Sequence, residues 1–187
     1  MARPVGILGG TFDPVHNAHL AIAGAALRAL DLQQILWMPT GMPAYRPAPV
    51  AAPAHRLAML RLATAGEPRY AVDDRELAPQ ASGYSFDTLV SLRTDHPGAS
   101  FVLLMGTDQY AKRKTWHRWP EIEKLCEVAV VARPGWNPDF KEKMIPMTPS
   151  TISASDIRAR IARGDNVSAM LPPAVLNYIK EKRLYLV

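Results

Sequence analysis

The chain has 187 residues, of which 48% are hydrophobic and 21% are charged. This length and composition predict a single globular domain over residues 1–187 with a sizeable core, and they exclude an intrinsically disordered chain. The formal net charge of +5 suits a protein that attracts polyanions such as nucleotides, but it falls short of a dedicated nucleic-acid-binding arm.

Short apolar segments alternate with helical segments along the chain, which is typical of an α/β fold with a parallel sheet. The predicted strands are 5–8, 35–38, 70–72, 101–105 and 128–132. The predicted helices are 18–30, 55–65, 86–94, 119–125, 155–163 and 173–182. Residues 184–187 are expected to form either a final strand or a packed tail.

The segment GGTFDPVHNAHL, residues 9–20, joins the first predicted strand to the first predicted helix. Gly9 and Gly10 mark a tight turn at which a ligand can approach the main chain closely, because glycine has no Cβ. The first turn of a helix presents unpaired N–H groups and the positive end of the helix dipole. The sequence therefore predicts a phosphate-binding site here.

His16 and His19 are three residues apart, so both rings are expected on the same face of the first helical turn, where they can donate hydrogen bonds to one bound group. The alternatives are surface or capping histidines, or a pair of zinc ligands. A zinc site needs at least three protein ligands, and no third histidine, cysteine cluster or HExxH pattern accompanies these two. The adjacent glycine turn favours phosphate.

Residues 39–54 contain five prolines and Gly41, so neither a helix nor a central strand can run through them. The segment leaves the carboxyl end of a predicted strand, the edge at which open α/β sheets place ligands. It is predicted to be a loop, which either covers the ligand or is a plain surface excursion.

Two features of the sequence indicate a cytoplasmic protein. Cys126 is the only cysteine, which excludes an intrachain disulfide, and its apolar neighbours favour a buried thiol. The amino terminus shows no signal-peptide pattern, and no apolar run approaches the ~18 residues of a membrane span. The sequence is compatible with a homo-oligomer but does not specify one.

Two motifs carry a resemblance to a known enzyme superfamily. GTFDPVHNAHL resembles the T/H-x-G-H signature of nucleotidyltransferases, which transfer a nucleoside monophosphate from a triphosphate and release pyrophosphate. STISASDIRARI, residues 150–161, is similar to the I-S-S/A-T/S-x-I-R motif that closes the nucleotide site in the adenylyltransferase branch. The two motifs in this order, near opposite ends of the chain, are far more specific than either alone.

Further segments narrow the resemblance to bacterial nicotinate-mononucleotide adenylyltransferases and extend it over nearly the whole chain. They are SGYSFDTL (82–89), LMGTDQY with TWHRW (104–119), VARPGW (131–136) and LPPAVLNYIKEKRLY (171–185). That family makes nicotinic acid adenine dinucleotide from ATP and nicotinate mononucleotide. The resemblance implies a single-domain, Rossmann-like nucleotidyltransferase fold, these two substrates, and no nucleic-acid or membrane partner.

The resemblance also implies roles for particular residues. The implied catalytic residues are His16, His19 and Arg158, which would neutralise charge on the phosphates. The implied ATP site contains Gly9, Gly10, Thr11, Phe12, His16, His19, Arg46, Gly106, Asp108, Arg133, Ile152, Ser153, Ser155 and Arg158. The implied nicotinate mononucleotide site contains Ser85, Thr88, Asp108, Trp116 and His117. No protein-held metal is expected, because Mg²⁺ would arrive on the ATP phosphates and the sequence shows no obvious carboxylate cage.

Several of these residues have alternative roles in ordinary structure. Ser153 or Ser155 can cap a helix, and Arg158 can be a solvated helix charge. Asp108 can be a helix cap, and Trp116 can belong to the core. For Ser153, Ser155 and Arg158, the alternative roles would be preferred if the segment did not match the family motif.

The chain departs from the family pattern at three places. Ala18 replaces a common glycine, Tyr45 stands where many relatives carry a histidine while Arg46 keeps their basic residue, and residues 112–114 are more basic than is usual among relatives. The run KRKTWHR, 112–118, could by itself suggest single-stranded nucleic-acid binding, but it is short for that purpose. Arg133 either lies near ATP or pairs with a surface acid.

Two other functions compete with the leading one. An adenylyltransferase for another phosphorylated acceptor, such as nicotinamide mononucleotide or phosphopantetheine, would keep the same nucleotide motifs, but the segments TWHR and SGYSFDTL favour nicotinate. A nucleotide-binding module that has lost catalysis would not need both histidines and Arg158, and all three are present.

Overall fold

The computed structural model describes residues 3–41, 48–132, 143–148 and 150–186. Its strands are β1 (Val5–Gly10), β2 (Gln34–Pro39), β3 (Tyr70–Val72), β4 (Phe101–Gly106), β5 (Glu127–Val131) and β6 (Lys143–Ile145). Its helices are α1 (Asn17–Ala29), α2 (Pro53–Thr64), α3 (Ser85–Asp95), α4 (Thr107–Ala111), α5 (Trp119–Leu125), α6 (Ala154–Arg163) and α7 (Pro173–Glu181). Short 3₁₀ turns cover Arg75–Leu77 and Arg113–Thr115.

These strands form one parallel sheet in the order β3-β2-β1-β4-β5-β6. The predicted α/β fold is confirmed, and every predicted strand and helix is present with its ends displaced by at most two residues. The prediction missed β6 and α4. β6 has only two consecutive apolar residues, Met144 and Ile145, and α4 has only five residues, so neither shows a pattern that distinguishes it from a loop.

The core lies on both faces of the sheet because strand side chains alternate in direction. Leu8, Trp37 and Leu104 face the cluster that also contains α1, α2, α6 and α7. Their neighbours Ile7, Leu36 and Leu103 face the cluster that contains α3 and α5. The arrangement is therefore a sheet with helices packed on each side.

The carboxyl-terminal part of the chain is a packed tail and not a strand. The Leu184 N–H donates to Ile179 O at 3.0 Å, and Leu184 and Tyr185 are half-buried against the core. Of the two alternatives, the packed tail is confirmed for Leu184 and Tyr185, whereas Leu186 is exposed.

Cys126 is buried, as predicted. This burial raises the pKa of its thiol to about 11. Across the described ranges, no helix combines the length and the apolar character needed to cross a bilayer.

The order of the strands determines where a ligand can bind. The chain proceeds from β1 to β2 and β3 on one side of the sheet, and then returns to place β4 on the other side of β1. Ligands of open α/β sheets bind at such a switch point, outside the carboxyl ends of the strands. The glycine turn after β1 and the segment after β4 both lie at this edge.

Candidate active site

A cavity of about 500 Å³ lies at the carboxyl ends of β1 and β4. Most of the residues named from the sequence line this one cavity: Gly9, Gly10, Thr11, Phe12, His16, His19, Ser85, Thr88, Gly106, Asp108, Trp116, Ser153, Ser155 and Arg158. Residues from both ends of the chain are thus brought together, as the two motifs predict.

Two of the named residues that the structure describes lie outside the cavity wall. Ile152 packs partly buried against the core, and His117 is exposed on the surface, so neither lines the cavity. Arg46 and Arg133 lie outside the described residues, as does Tyr45. The described parts of the proline-rich loop do reach the site, since Thr40, Ala48, Pro49 and Val50 contribute to its wall.

The two glycines of the turn have different roles. A Cβ on Gly10 would lie 3.1 Å from the ring of Phe12, which is buried with a left-handed φ of 50°. Gly10 is therefore required for the packing of that ring. A Cβ on Gly9 would meet nothing within 4 Å, and Gly9 is exposed to the cavity. The main chain at Gly9 is therefore open to a ligand.

The two histidines are held against each other at the start of α1. Their rings stack with centroids 3.7 Å apart, and the ring of Phe12 contacts His19 edge-on at 5.0 Å. The His16 N–H donates to His19 Nδ1 at 3.2 Å, and His16 is the N-cap residue of α1. A nitrogen that accepts carries no proton, so neutral His19 in this geometry carries its proton on Nε2. Both rings line the cavity, and the capping alternative also holds for His16.

Asp13 is a buried junction between four parts of the chain. Its Oδ2 accepts the Val50 N–H at 2.7 Å, and its Oδ1 accepts the Ala51 N–H at 3.1 Å and the Tyr185 hydroxyl at 2.7 Å. The Asp13 carbonyl oxygen accepts from Arg158 Nη1 at 2.7 Å. The turn after β1, the proline-rich loop, α6 and the tail are thereby joined.

Arg158 reaches this junction from the first turns of α6. Its guanidinium lines the cavity and is also 3.8 Å from Asp13 Oδ2, with 29% of the side chain exposed. Arg158 is therefore not a solvated helix charge. Ser153 is the N-cap of α6 and accepts the Asp156 N–H at 3.3 Å, so its capping alternative is confirmed alongside its position in the cavity wall.

Arg56, on α2, supports the cavity wall from beneath. Its side chain is fully buried and donates to the carbonyl oxygens of Thr11 at 2.7 Å and Thr40 at 2.8 Å. Burial lowers the pKa of Arg56, and the nearby charge of Asp13 opposes that shift. A buried guanidinium that satisfies two loop carbonyls fixes the loops after β1 and β2 relative to each other.

Asp108 emerges at the ligand edge of the sheet, as predicted. It lies in the first turn of α4 and lines the cavity, whereas Gly106 is the N-cap residue, so the capping alternative is wrong.

Trp116 occupies the other end of the cavity. It is half-buried, lines the wall and contacts Trp119 with ring centroids 6.1 Å apart. The core alternative is therefore partly correct, since Trp116 packs on the core with one part of its ring system while another part faces the cavity.

Two main-chain N–H groups in the implied acceptor site are already engaged. The Trp116 N–H donates to Arg113 O at 2.9 Å, and the Thr88 N–H donates to Tyr84 O at 3.3 Å. The Thr88 hydroxyl donates to Glu76 Oε1 at 2.7 Å. The Asp87 N–H also donates to Tyr84 O, at 3.1 Å, so within the described residues the N–H groups of Ser85 and Phe86, which begin α3, are the donors left for a ligand.

The basic run at 112–118 is partly folded back onto the protein. The Arg113 guanidinium lies 4.1 Å from the centroid of the Tyr110 ring, and that of Arg118 lies 3.8 Å from the centroid of the Phe86 ring. Such stacking is typical of arginine and covers apolar surface.

Four further residues of the site were missed by the sequence analysis: Asp13, Arg56, Glu76 and Tyr185. Glu76 lines the cavity, and burial raises the pKa of its carboxyl group. The motif GTFDPVH includes Asp13, so its position was a usable signal. Tyr185 likewise ends the quoted segment LPPAVLNYIKEKRLY, whereas Arg56 and Glu76 belong to no quoted motif.

A glycine turn, a helix that starts with two stacked histidines, and an arginine from a distant helix meet at the switch point of a parallel sheet. This combination defines a nucleotide-binding enzyme of the nucleotidyltransferase class. The Cytidylyltransferase-like family model matches residues 7–160, which agrees with that class.

Comparison with known proteins defines the family more closely. The chain is 40% identical to a protein named as a probable nicotinate-nucleotide adenylyltransferase from Laribacter hongkongensis, over 97% of this chain and 94% of that protein. It is 41% identical to a protein of the same name from Bordetella petrii, over 98% of this chain and 99% of that protein. The chain therefore belongs to the family of nicotinate-nucleotide adenylyltransferases.

Solved structures agree on the fold. Nicotinic acid mononucleotide adenylyltransferase from Plasmodium falciparum, complexed with NaAD, superposes with a TM-score of 0.85 at 17% identity over 98% of both chains. The same enzyme complexed with APC gives a TM-score of 0.80 at 19% identity, also over 98% of both chains.

Proposed function

We propose that the protein transfers the adenylyl group of ATP to nicotinate mononucleotide, and so makes nicotinic acid adenine dinucleotide and pyrophosphate for NAD biosynthesis. The observation that carries this proposal is the single cavity that contains the glycine turn, the histidine pair and Arg158 at one end and Trp116 at the other. Full-length similarity to relatives named for this activity supports it.

The proposed reaction depends more on the alignment of the two substrates than on proton transfer. A phosphate oxygen of nicotinate mononucleotide forms a bond to the α-phosphorus of ATP while the bond to the bridging oxygen of the β-phosphate breaks, and pyrophosphate leaves with that electron pair. The attacking oxygen is already ionised near neutral pH, so no general base is needed. Catalysis then comes from holding the reactants in line and neutralising charge.

The phosphate end of the cavity has suitable donors for this task. The Nε2–H of His19 would donate to an oxygen of the α-phosphate. His16, whose ring is stacked on that of His19, would face the same oxygens. Arg158 neutralises charge on the β- and γ-phosphates as pyrophosphate departs. Gly9 allows the triphosphate to approach the main chain, because no side chain intervenes.

The acceptor end suits a flat heteroaromatic ring. Trp116 offers a face for stacking on the nicotinate ring. The carboxylate of nicotinate would bind the N-terminus of α3 at Ser85, where the helix dipole favours a negative charge. Asp108 lines the same cavity and would accept hydrogen bonds from a ribose hydroxyl.

Mg²⁺ is proposed to enter with ATP and not to be held by a protein cage. Within the described ranges, no group of three or more histidine, cysteine or acidic side chains is arranged to hold a metal ion. The oxygens of Asp13 are directed at Val50, Ala51 and Tyr185. Mg²⁺ usually keeps several waters and binds through substrate phosphates, which fits this set of residues.

The proposal is tested with purified protein, ATP and Mg²⁺, and with nicotinate mononucleotide, nicotinamide mononucleotide or phosphopantetheine added in turn. Pyrophosphate and dinucleotide formation are measured, and a reaction without acceptor controls for ATP hydrolysis. We expect the highest kcat/KM with nicotinate mononucleotide. A higher value with another acceptor would establish that rival function, and ATP binding without turnover on any acceptor would establish a non-catalytic module.

A cytoplasmic location is part of the same proposal. The buried, unpaired thiol of Cys126 supports it, because a reducing compartment keeps such a thiol free.

A further inference from the structure

The turn after β1 contains a negative charge where the proposed function needs none. Asp13 belongs to the wall of the cavity that would hold the ATP triphosphate, and only 4% of its side chain is exposed. An uncompensated carboxylate at this point would repel the phosphates and would compete with them for Arg158. The arrangement of its hydrogen-bond partners therefore affects how well ATP binds.

The partners of Asp13 divide into two groups. Three donors engage the carboxylate directly: the N–H groups of Val50 and Ala51, and the hydroxyl of Tyr185. Arg158 makes its short contact with the carbonyl oxygen instead, at 2.7 Å, and its Nη1 atom stays 3.8 Å from Oδ2. The guanidinium is therefore only loosely paired with the carboxylate.

Tyr185 reaches Asp13 from the last residues of the chain by an unusual backbone path. Arg183 and Tyr185 have φ values of 53° and 63°, in the left-handed region that residues with a Cβ rarely adopt. The contact spans 172 positions in sequence. Burial first, and then the hydrogen bond to Asp13, raise the pKa of Tyr185, so its hydroxyl stays protonated and remains a donor at any physiological pH.

We propose that Tyr185 is a positioning residue for ATP: its hydroxyl satisfies Asp13 Oδ1 and thereby leaves the guanidinium of Arg158 available to the triphosphate. The inference rests on the proposed function through the assignment of ATP to this cavity. Without the hydroxyl, the bonds from the described residues to Oδ1 are reduced to the longer one from Ala51, at 3.1 Å. The carboxylate would then pair more closely with Arg158, the one described cationic side chain within 4 Å of it, and ATP would have to displace the carboxylate from the guanidinium.

The test is Tyr185→Phe in the full chain, with Tyr178→Phe as the matched control. Tyr178 also lies near the carboxyl terminus, and its hydroxyl is 2.9 Å from His55 Nδ1. We expect Tyr185→Phe to raise the KM for ATP roughly five- to tenfold, the scale of one typical intramolecular hydrogen bond, because the effect on ATP is indirect. The KM for nicotinate mononucleotide and kcat should change less than about twofold, and Tyr178→Phe should leave all three near wild type.

Two additional measurements separate positioning from folding and from the proposed function. The dissociation constant for ATP is measured by calorimetry without acceptor, below the unfolding transition of each variant as followed by circular dichroism. The same constant is measured for Arg158→Lys alone and together with Tyr185→Phe. If Tyr185 acts through Arg158, the two substitutions weaken ATP binding by less than the product of their separate effects.

Three results would overturn the inference: an unchanged ATP affinity in folded Tyr185→Phe, an equal effect of Tyr178→Phe, or fully multiplicative effects with Arg158→Lys. If the wild type binds ATP but turns over no acceptor, the proposed function fails, while the calorimetric comparison still decides the role of Tyr185.

Discussion

The two ends of the cavity are built in different ways. At the phosphate end, Phe12, Asp13, His16 and Arg56 are buried, and their contacts join segments that are far apart in sequence. At the acceptor end, Ser85, Thr88 and Trp116 are only half-buried. Among the described residues, the side chains at this end make ring contacts and one short side-chain hydrogen bond, from Thr88 to Glu76.

This difference corresponds to the two tasks of the proposed enzyme. Charge stabilisation depends on donors that are fixed before the reaction begins, because reorganising them would cost the energy that they provide. Recognition of the acceptor depends on the shape and chemistry of a few side chains. Substitutions at the phosphate end should therefore change the rate of the reaction, and those at the acceptor end should change which substrate is used.

The largest effect is expected for the histidines. His19→Ala removes a donor from the phosphate end, and we expect kcat to fall by about 10² to 10³, the typical loss for one preorganised donor. His16→Ala should act in the same direction. Steady-state kinetics with ATP and nicotinate mononucleotide measure the effect, and circular dichroism checks folding.

His96→Ala is the control for the histidine substitutions, because His96 is exposed at the end of α3 and lies outside the cavity. Near-normal turnover in folded His16→Ala and His19→Ala would remove both residues from the mechanism. The contrast between the two ends of the cavity would then be wrong.

The histidine pair also shows how much of the site the sequence predicts. Gly9, His16 and His19 lie within one strand-turn-helix segment, so their proximity follows from local geometry alone. The position of Arg158 in the cavity could be predicted only because its segment resembles a family motif. Asp13 could be noticed in its motif, but its contacts with Val50, Ala51 and Tyr185 could not, because they depend on how distant segments pack.

The same limit applies to the fold. The strands β1, β2, β4 and β5 are five or six residues long and were predicted from their apolar runs, as were the three-residue strand β3 and all helices of seven residues or more. The three-residue edge strand β6 was not, because it has only two consecutive apolar residues after Lys143, so its identity depends on pairing with β5. Ile152 and His117 show the converse case, in which a family motif names residues that lie outside the cavity wall.

At the acceptor end, Trp116→Ala is expected to raise the KM for nicotinate mononucleotide roughly tenfold, the scale of one lost stacking interaction. It should also alter the ratio of kcat/KM between the acid and amide mononucleotides, while kcat with ATP changes little. His117→Ala is the matched control, since His117 is the neighbouring residue but lies outside the cavity lining. If Trp116→Ala leaves that ratio unchanged, the acceptor is bound elsewhere.

The two glycines allow a finer test within the phosphate end. Gly9→Ala adds a methyl group in open space within the protein, so we expect unchanged stability and a KM for ATP raised a few-fold. Gly10→Ala brings a methyl group to 3.1 Å from the ring of Phe12, and we expect a loss of about 1–3 kcal/mol in the free energy of unfolding. Urea denaturation and ATP kinetics distinguish them. Equal stability losses would show that Gly9 is also needed for packing.

The smallest effect concerns Glu76, whose carboxyl group lies in the half-buried wall of the acceptor end. Burial is the main cause of its raised pKa, and the hydrogen bond from Thr88 acts in the opposite direction. The folded protein therefore binds a proton at Glu76 more tightly than the unfolded chain does. The contribution of this group to stability is complete below its ordinary pKa of about 4.5 and is lost as the pH rises through the higher folded value.

Glu76→Gln keeps an oxygen that accepts from Thr88 and removes the titration. As the pH rises from 4.5 to 7.5, we expect the free energy of unfolding to fall more for the wild type than for Glu76→Gln. The difference between the two falls should be about 1 kcal/mol or less, because the site is partly hydrated. Urea denaturation across this pH range measures the difference. A parallel pH dependence of the two proteins would mean that the carboxyl group is as well solvated in the folded protein as in the unfolded chain. The acceptor end would then be more open to water than its burial indicates, and it would differ from the phosphate end even more strongly.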